Sequence, residues 1–277
     1  MSGKANSKSL RFLYDTAAGR MILKLLTAPF VSKAAGAFLD TRFSKPLAIR
    51  FIRKNGIDIN DYENSGFNNF NECFSRKIKP ELRPVCSDEN AVISVCDGLL
   101  SVYNINGGTV LPVKQSAYTL CELLCDKELA DDYNGGVCVV IRLQVSDYHR
   151  YCYVDNAQKG DNIFIKGRLH TVRPIALQKY PVFVTNCREY TVLETESFGN
   201  VVQMEVGALL VGKIKNHHGK AQVRKGEEKG TFLYGGSTVL LLFKKNTVDI
   251  LKEYFDNTMA GIETPVKLGQ KIGERII

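Results

Sequence analysis

The stretch Thr231-Phe-Leu-Tyr-Gly-Gly-Ser-Thr-Val-Leu-Leu-Leu-Phe243 places two apolar runs on either side of Gly235-Gly236. Both runs are rich in residues that favour extended backbone, and the glycines suit a turn between them. The pattern predicts a pair of hydrophobic strands, and a β-hairpin with a glycine turn is the simplest interpretation. A hydroxyl pair, Ser237-Thr238, follows the glycines directly.

A glycine immediately before a serine also suits self-cleavage of the chain. Because Gly236 has no Cβ atom, it permits strained torsions and a close approach to its carbonyl carbon. The Ser237 hydroxyl could attack that carbonyl and move the acyl group from nitrogen to oxygen. If the resulting ester lost the serine α-proton, the chain would split and leave an N-terminal pyruvoyl group. Both interpretations, the hairpin and the cleavage site, are open at this point.

Composition indicates an ordinary globular protein. The 277 residues are 44% hydrophobic and 24% charged, enough for one large domain or two modest ones. No run approaches the roughly 18 apolar residues that span a bilayer, and no secretory signal pattern opens the sequence, so we expect a cytoplasmic protein. The eight cysteines contain no Cys-x-x-Cys pair, and we expect reduced thiols rather than a zinc site or a disulfide framework.

The positive charge is concentrated at one end of the chain. Residues 1–60 contain six Lys and five Arg against three Asp, which equals the whole excess of +8. An anionic partner is therefore expected there. Apolar residues recur at helical spacing within this segment, with basic residues between them, and Pro29 ends the run. The pattern predicts a basic amphipathic helix over residues 10–25.

Three further helices are predicted in the same region. They cover Val31–Leu39, a segment from Ser44 to Asn55-Gly56 with Pro46 in its first turn, and a segment in which Phe67, Phe70, Phe74 and Ile78 share one face. Their apolar faces could pack a core or dock on a membrane surface beside anionic lipid. Nucleic acid is the weaker alternative, because no aromatic and basic strand platform and no reading helix is present.

From Ala91 onward the hydrophobic period changes from helix to strand. The predicted strands are Ala91–Val95, Leu99–Ile105, Thr109–Val113, Val137–Leu143, Tyr151–Val154, Asn162–Leu169, Arg188–Thr195, Asn200–Val206, Leu209–Ile214 and Ser237–Phe243. Helices are predicted at Tyr118–Cys125 and Asn246–Tyr254, and the polar stretch Lys213–Gly230 is predicted to be a loop or ribbon. The fold class is α+β, with a helical segment over 1–80 followed by an antiparallel β sandwich or barrel-like catalytic domain over 81–277.

Three places in the β-rich region carry candidate chemistry. Asp97 precedes Gly98 after an apolar strand, where an Asp often makes only a turn. The run Asp147-Tyr-His-Arg150 contains His149, which could be structural or could transfer protons. His170 is one of only three other histidines in the chain.

Taken together, these segments resemble the phosphatidylserine decarboxylase family, and the likeness covers nearly the whole chain. The matching motifs are Phe70-Asn-Glu-Cys-Phe-Ser-Arg-Lys-Ile-Lys-Pro80 with Arg83-Pro84, Cys96-Asp-Gly98, Lys114 to Leu124, Asp147-Tyr-His-Arg150, Pro174-Ile-Ala176, Asn186 to Tyr190, Val206-Gly-Ala208 and Gly235-Gly-Ser-Thr238. Several ordered motifs at compatible spacing are more specific than any one of them.

The resemblance implies a self-processing proenzyme. Cleavage between Gly236 and Ser237 would give a β chain, 1–236, and an α chain, 237–277, that begins with a pyruvoyl group made from Ser237. Asp97 matches the aspartate of the family's Asp–His–Ser relay for self-cleavage. His149 matches the histidine associated with decarboxylation, and Tyr148 and Arg150 beside it are expected to bind substrate.

Two positions depart from the family pattern. The second histidine of the family's Tyr-His-Arg-x-His run is replaced by Cys152, and a thiol that is mostly protonated at neutral pH does not substitute for imidazole. Gly235 stands where a leucine is frequent. Three repairs of the relay are open: His149 serves both steps, His170 reaches in from a neighbouring strand, or Asp97 acts directly on Ser237. We favour His149 or His170 together with Asp97.

The implied reaction converts phosphatidylserine to phosphatidylethanolamine and carbon dioxide through a Schiff base to the pyruvoyl group, without a metal. The substrate's acyl chains stay in the bilayer, so the resemblance and the basic N-terminal segment together predict an enzyme bound peripherally at the cytoplasmic face of the membrane. The β and α chains would be each other's partners, no nucleic acid is expected, and homodimer formation is left open.

Rival functions use the same scaffold. One is a pyruvoyl-dependent decarboxylase of a soluble amino acid or of another serine-headed lipid. Another is an unprocessed, non-catalytic binding protein that lost its relay at Cys152. A serine hydrolase is less favoured, because Gly235-Gly-Ser-Thr238 lacks the Gly-x-Ser-x-Gly elbow.

Overall fold

The computed structural model describes residues 8–64, 66–107, 109–113, 116–172, 174–177, 181–208, 213–233 and 237–276. Parts of the sequence predictions lie outside these residues. They include Gly235 and Gly236 at the proposed cleavage point, Lys114 of one family motif, and the first four residues of the predicted strand Leu209–Ile214.

Helices form most of the N-terminal region, and five short helices interrupt the described strands of the β-rich part. The helices of the described part are α1 (Lys8–Asp15), α2 (Ala17–Leu26), α3 (Pro29–Leu39), α4 (Lys45–Asn55), α5 (Phe70–Phe74), α6 (Leu120–Leu124), α7 (Lys127–Asp131), α8 (Pro174–Leu177), α9 (Val182–Thr185) and α10 (Lys252–Met259). Within this part of the chain, none of them is both long and apolar enough to cross a membrane.

The basic helix predicted over residues 10–25 is two helices. Thr16 has extended torsions, φ −102° and ψ 153°, and its Oγ1 accepts a hydrogen bond from the backbone N–H of Gly19 at 2.9 Å. A threonine side chain that caps the following turn in this way competes with continuation of the preceding helix. A Cβ atom at Gly19 would lie 2.0 Å from the carbonyl oxygen of Phe12, so the break also depends on glycine.

The next helices agree with the sequence more closely. Helix α3 covers the predicted span, and α4 ends where Gly56 takes the left-handed conformation with φ 62°. The phenylalanine stripe forms a helix only in α5, and Ile78 instead makes an isolated β-bridge with Tyr62. One small core joins these elements, and it is built from Leu39, Ala48, Phe51, Phe70, Cys73 and Phe74.

The described part of the β region forms one large antiparallel sheet and three small ones. Its strands are β1 (Ala91–Ile93), β2 (Gly98–Asn104), β3 (Thr109–Val113), β4 (Ser116–Thr119), β5 (Val137–Leu143), β6 (Arg150–Cys152), β7 (Ala157–Lys159), β8 (Ile163–Ile165), β9 (Arg188–Thr195), β10 (Gly199–Val206), β11 (Lys213–Asn216), β12 (Ala221–Val223), β13 (Glu228–Leu233), β14 (Ser237–Phe243), β15 (Val248–Ile250), β16 (Thr264–Val266) and β17 (Lys271–Arg275). The order of the main sheet is β12-β7-β9-β10-β14-β5-β2-β16, with β8 also paired to β9. The α+β class is thereby confirmed.

Each face of the main sheet covers a separate hydrophobic core. Along β14, Val239 and Leu241 belong to a core shared with β6 and β13, whereas Leu240 and Leu242 belong to a core that also contains Tyr14 of α1. This alternation follows from the two-residue period of a strand. We call these the inner face, which meets the small sheet β11-β13-β6, and the helical face, which meets α1 and α2.

Of two predictions near the C-terminal end, one alternative is confirmed and one prediction is wrong. Lys213–Gly230, predicted to be a loop or ribbon, contains β11, β12 and the start of β13, so the ribbon is the correct alternative. The segment predicted as the helix Asn246–Tyr254 contains β15 before α10 begins at Lys252, because strand pairing with a distant segment overrides the local pattern. The helix predicted at Tyr118–Cys125 begins at Leu120, because Thr119 forms a capping box with Glu122.

The two strands around the glycines do not form a hairpin. Strand β13 pairs with β6 and β11, whereas β14 pairs with β5 and β10 in the main sheet. The hairpin interpretation is therefore wrong, because each run finds its hydrogen-bond partners in a different layer. The chain therefore changes layers between Leu233 and Ser237.

Candidate active site

Ser237 is the first residue of a central strand and faces the inner side of the sheet. It pairs with Leu143 of β5, and its side chain shares the face of Val239. Ser237 is fully buried, and its Oγ has no hydrogen-bond partner in the described part of the chain. Because buried hydroxyls are normally paired, an orphan hydroxyl here is consistent with a nucleophile. It also fits the pyruvoyl group, whose carbon atoms this residue would supply.

Asp97 lies at the same edge of the sheet, two strands away. Leu99 of β2 pairs with Arg142 of β5, which pairs with Thr238 of β14. Since neighbouring strands are about 4.8 Å apart, the backbones of Gly98 and Ser237 are about 10 Å apart. The structure thus brings Asp97 and Ser237 to one edge, without a hydrogen bond between their side chains.

The Asp97 carboxylate is held by two cations and a backbone group. Arg83 donates from Nε at 2.8 Å and from Nη2 at 2.6 Å, Lys267 donates from Nζ at 3.1 Å, and the backbone N–H of Leu268 donates at 3.0 Å. Burial would raise the pKa of Asp97, but these donors outweigh it and hold the pKa below its usual value. Asp97 is therefore ionised at neutral pH. The sequence did not single out Arg83 or Lys267 as its partners.

His149 is fully buried, and its tautomer is set by its neighbours. Its Nδ1 lies 2.8 Å from the backbone oxygen of Asp147. Because a carbonyl oxygen only accepts, Nδ1 carries the hydrogen in the neutral ring and Nε2 is the basic nitrogen. The ring packs on Phe74 with 4.0 Å between centroids. This arrangement suits a group that binds and releases a proton at Nε2.

Asp147 was part of a motif but was not predicted as a site residue. Its Oδ2 accepts a hydrogen bond from the backbone N–H of Gln144 at 2.8 Å. Burial raises the pKa of the Asp147 carboxyl, and the nearby charge of Asp97 raises it further. The protein thus raises the pKa of Asp147 and lowers the pKa of the neighbouring Asp97. Opposite shifts of two neighbouring carboxyl groups are typical of acid and base pairs in active sites.

Tyr148 and Arg150 flank His149 in the sequence, but one is buried and the other already makes hydrogen bonds within the protein. Tyr148 is buried, and burial raises the pKa of its phenol. Arg150 donates from Nε to the backbone oxygen of Ser75 at 2.9 Å and from Nη1 to Glu228 at 2.6 Å. The predicted substrate-binding role of this pair stays a prediction.

His170 lies against the N-terminal helices. Its Nδ1 is 3.4 Å from the hydroxyl of Tyr14, which belongs to the core on the helical face. Burial and the nearby charge of Arg168 lower the pKa of His170 to about 4. Asn186 fixes its backbone and also donates to the carbonyl oxygen of Gly207 at 2.7 Å. The described contacts place this ring with the helical face, whereas the Ser237 side chain faces inward.

Cys152, at the position of the missing histidine, is a buried thiol. Its backbone N–H donates to the carbonyl oxygen of Val95 at 2.9 Å. Burial raises the pKa of Cys152 to about 12, so the thiol is protonated at neutral pH and is not a base. In the described part of the chain, no group of three or more His, Cys, Asp or Glu side chains could hold a metal ion.

A buried ion pair between the layers was missed by sequence reasoning. Glu205 of β10 and Lys229 of β13 are both fully buried, and Lys229 Nζ donates to Glu205 Oε2 at 2.5 Å. Asn216 of β11 contacts both of them. The only sequence signal was one charged residue, a glutamate, inside the mostly apolar strand Asn200–Val206.

Comparison with known proteins supports the resemblance. The family model described as phosphatidylserine decarboxylase matches residues 70–274. The chain is 44% identical over 266 residues to phosphatidylserine decarboxylase proenzyme 2 of Clostridium acetobutylicum, covering 96% of this chain and 91% of that protein. It is 41% identical over 277 residues to the phosphatidylserine decarboxylase proenzyme of Clostridium botulinum strain 657, covering 98% and 94%.

A third relative gives the same result. The chain is 40% identical over 278 residues to the phosphatidylserine decarboxylase proenzyme of Ruminiclostridium cellulolyticum, and the match covers 98% of this chain and 93% of that protein. The matched region includes the segments that carry Asp97, His149 and Ser237. With a matching family model over most of its length and relatives of this similarity, the chain belongs to the phosphatidylserine decarboxylase family.

Proposed function

We propose that this protein is a self-processing carboxy-lyase that converts phosphatidylserine to phosphatidylethanolamine and carbon dioxide, with a pyruvoyl group made from Ser237. The observation that carries the proposal is the Ser237 hydroxyl, which is buried, without a hydrogen-bond partner in the described residues, and located where the chain passes between two sheets. The reaction itself is proposed from membership of the phosphatidylserine decarboxylase family.

Processing would use a serine held on a fixed strand. Ser237 begins β14, which is paired on both sides, and β13 before the junction is also paired on both sides. The hydroxyl is therefore presented from rigid backbone to the residue before it, which favours intramolecular attack. Cleavage after Gly236 would give the β chain 1–236 and the α chain 237–277.

The pyruvoyl carbonyl, once formed, supplies the electron sink that loss of carbon dioxide needs. His149 would deliver a proton from Nε2 to the substrate carbon, with its orientation fixed by Asp147 and Phe74. Asp97, ionised beside Arg83, would provide a fixed negative charge at the same edge. Tyr148 and Arg150 would shape the pocket next to His149.

The N-terminal helices would dock the enzyme on an anionic membrane surface. In α2, Leu23 is buried against the protein, whereas Met21 and Leu25 are exposed by 75% and 68%. Arg20 and Lys24 are exposed beside them. One face of the helix thus packs on the core, and the other offers the mixture of apolar and basic groups that suits lipid headgroups. We propose peripheral binding at the cytoplasmic face.

The experiment is intact-mass analysis of the purified protein, followed by a decarboxylation assay. We expect two fragments, the smaller with a ketone-reactive N-terminus, and release of carbon dioxide from phosphatidylserine vesicles but not from free serine. Ser237→Ala is the matched control and should stay one chain of 277 residues. An active preparation that consists of the intact chain would contradict the proposal, and release from free serine would indicate the soluble amino acid instead.

A further inference from the structure

Glu205 is a buried acid close to the proposed cleavage point. It lies on β10, and its Oε2 is held by Lys229 at 2.5 Å and by the side-chain amide of Asn216 at 3.3 Å. Its other oxygen, Oε1, is buried and has no hydrogen-bond partner in the described part of the chain. One carboxylate oxygen is therefore anchored, and the other is available as an acceptor.

Strand register directs Glu205 and Ser237 to the same space. Glu205 pairs with Val239 of β14, so its side chain lies on the inner face, which also carries Ser237. Ser237 is two residues from Val239, and such diagonal neighbours have Cα atoms about 7–8 Å apart, within reach of a long side chain. The two buried groups with unused hydrogen-bonding capacity thus point from adjacent strands into one layer.

Three of the four other candidates are poorly suited to take the serine proton, and the fourth, His149, is assigned to the decarboxylation step. Cys152 is protonated at neutral pH because its pKa is about 12. Asp97 has its carboxylate engaged by Arg83, Lys267 and Leu268. The ring of His170 packs with Tyr14, on the helical face.

We propose that Glu205 is the base that replaces the missing relay histidine in self-processing, an inference that rests on the proposed function. As Ser237 Oγ bonds to the carbonyl carbon of Gly236, Glu205 accepts the hydroxyl proton, directly or across one water molecule. The carbonyl π electrons move to its oxygen. When they return, the C–N bond breaks and the proton passes from Glu205 to the nitrogen. An amide becomes an ester, and Glu205 ends as it began.

Lys229 holds this acid in place and favours its charged form. Burial raises the pKa of Glu205 and lowers the pKa of Lys229, while the attraction between them opposes both shifts. A carboxylate with a raised pKa is a better proton acceptor than an exposed one. Because Lys229 lies on β13, the pair also ties the strand before the cleavage point to the sheet that carries Ser237.

The test measures processing of freshly purified precursor by intact mass. A single Glu205→Gln change leaves Lys229 buried without its counter-ion, so the main variant is the double change Glu205→Leu with Lys229→Met, which replaces the ion pair by apolar groups of similar size. Glu205→Gln is the second variant, since it keeps the shape and a contact to Asn216. The matched control is Gln203→Met, on the same strand and face but farther from Ser237.

We expect both Glu205 variants to be folded, as shown by a cooperative thermal melting transition. They should process at least 100-fold more slowly than the unmodified chain, whereas Gln203→Met should process at the normal rate. If the ion pair had only a structural role, the double variant would process at the normal rate, because no charge is left buried without a partner. Normal processing of the double variant would therefore overturn the inference. Hydroxylamine, which cleaves esters, should leave the stalled variants intact. Cleavage by hydroxylamine would show that the ester forms without Glu205, and would also overturn it.

If the proposed function were wrong, the experiment would give a different result. The unmodified chain itself would then remain uncleaved, and both proposals would be contradicted. If the unmodified chain processes and the Glu205 variants process equally fast, only the role of Glu205 is lost.

Discussion

The backbone N–H of Phe232 donates to the carbonyl oxygen of His149 at 2.9 Å. The strand that leads to the proposed cleavage point therefore also holds the histidine proposed to transfer a proton. Thr231 Oγ1 adds a second hydrogen bond to the same oxygen at 3.1 Å. Processing and decarboxylation would thus share one rigid backbone, even though different side chains perform them.

The first prediction separates those two steps at His149. We expect His149→Gln to process at a rate close to that of the unmodified chain and to decarboxylate about 10²–10⁴-fold more slowly, because the proton donor is lost while Glu205 is intact. Fragment formation by mass and carbon dioxide release from vesicles measure the two steps. Undiminished decarboxylation would contradict the role given to His149.

The second prediction concerns Cys152. Since its thiol is buried and has a pKa of about 12, we expect Cys152→Ala to process at the normal rate and to lose only about 1 kcal/mol of stability from the small cavity. In the native protein, iodoacetamide at pH 8 should label the exposed Cys121 and Cys125 but not Cys152. A processing rate reduced tenfold or more in the folded variant would make the thiol a participant.

The third prediction is a pH dependence at Asp97, measured in the unprocessed Ser237→Ala background. The folded pKa of Asp97 is lower than its usual value, so its charged contacts stabilise the fold above about pH 4 and are lost as the pH falls through the folded pKa. Removal of the charge with Asp97→Asn should cost about 2 kcal/mol at pH 7, mainly through the Arg83 pair, because Lys267 is largely exposed.

Urea unfolding between pH 7 and pH 3 checks this prediction. The difference in unfolding free energy between the protein that keeps Asp97 and the Asp97→Asn variant should shrink as the pH falls below about 4, because the unfolded chain takes up the proton at a higher pH than the folded one. A difference that stays constant over this range would show that the charge of Asp97 contributes nothing to stability.

The fourth prediction tests membrane docking without truncation. Deletion of residues 1–42 would remove Tyr14 and Leu23 from a core, since both are buried, so point changes are preferable. We expect Met21→Glu with Leu25→Glu to weaken binding to phosphatidylserine vesicles at least tenfold in a sedimentation assay. Met259→Glu is the matched control, because Met259 is exposed by 87% on α10, outside the N-terminal helices. Equal loss in both proteins would mean that any added negative charge prevents binding.

Long strands could be predicted from the sequence, whereas a short polar one could not. Val137–Leu143, Arg188–Thr195 and Ser237–Phe243 were predicted with the bounds that the structure has, because a run of β-branched and aromatic residues decides its own conformation. Strand β12 is three residues long and owes its conformation to pairing with β7, more than sixty residues earlier. Nothing local in the sequence indicates that partner.

The candidate site divides in the same way. Asp97, His149 and Ser237 stand in motifs that the sequence displays, so the resemblance found them. The pairing of Glu205 with Lys229 depends on two strands from different sheets meeting face to face. The hairpin interpretation hid this contact, because it placed β13 beside β14 instead of opposite the main sheet.

The central position of β14 has a consequence for the mature protein. Residues 237–276 supply a middle strand of the main sheet and, with β17, the middle strand of a small sheet. After the proposed cleavage, the α chain could dissociate only if the strand pairing of both sheets were broken. Subunit dissociation and denaturation would then be a single event, and the melting temperature would rise with protein concentration, as it does for an obligate heterodimer.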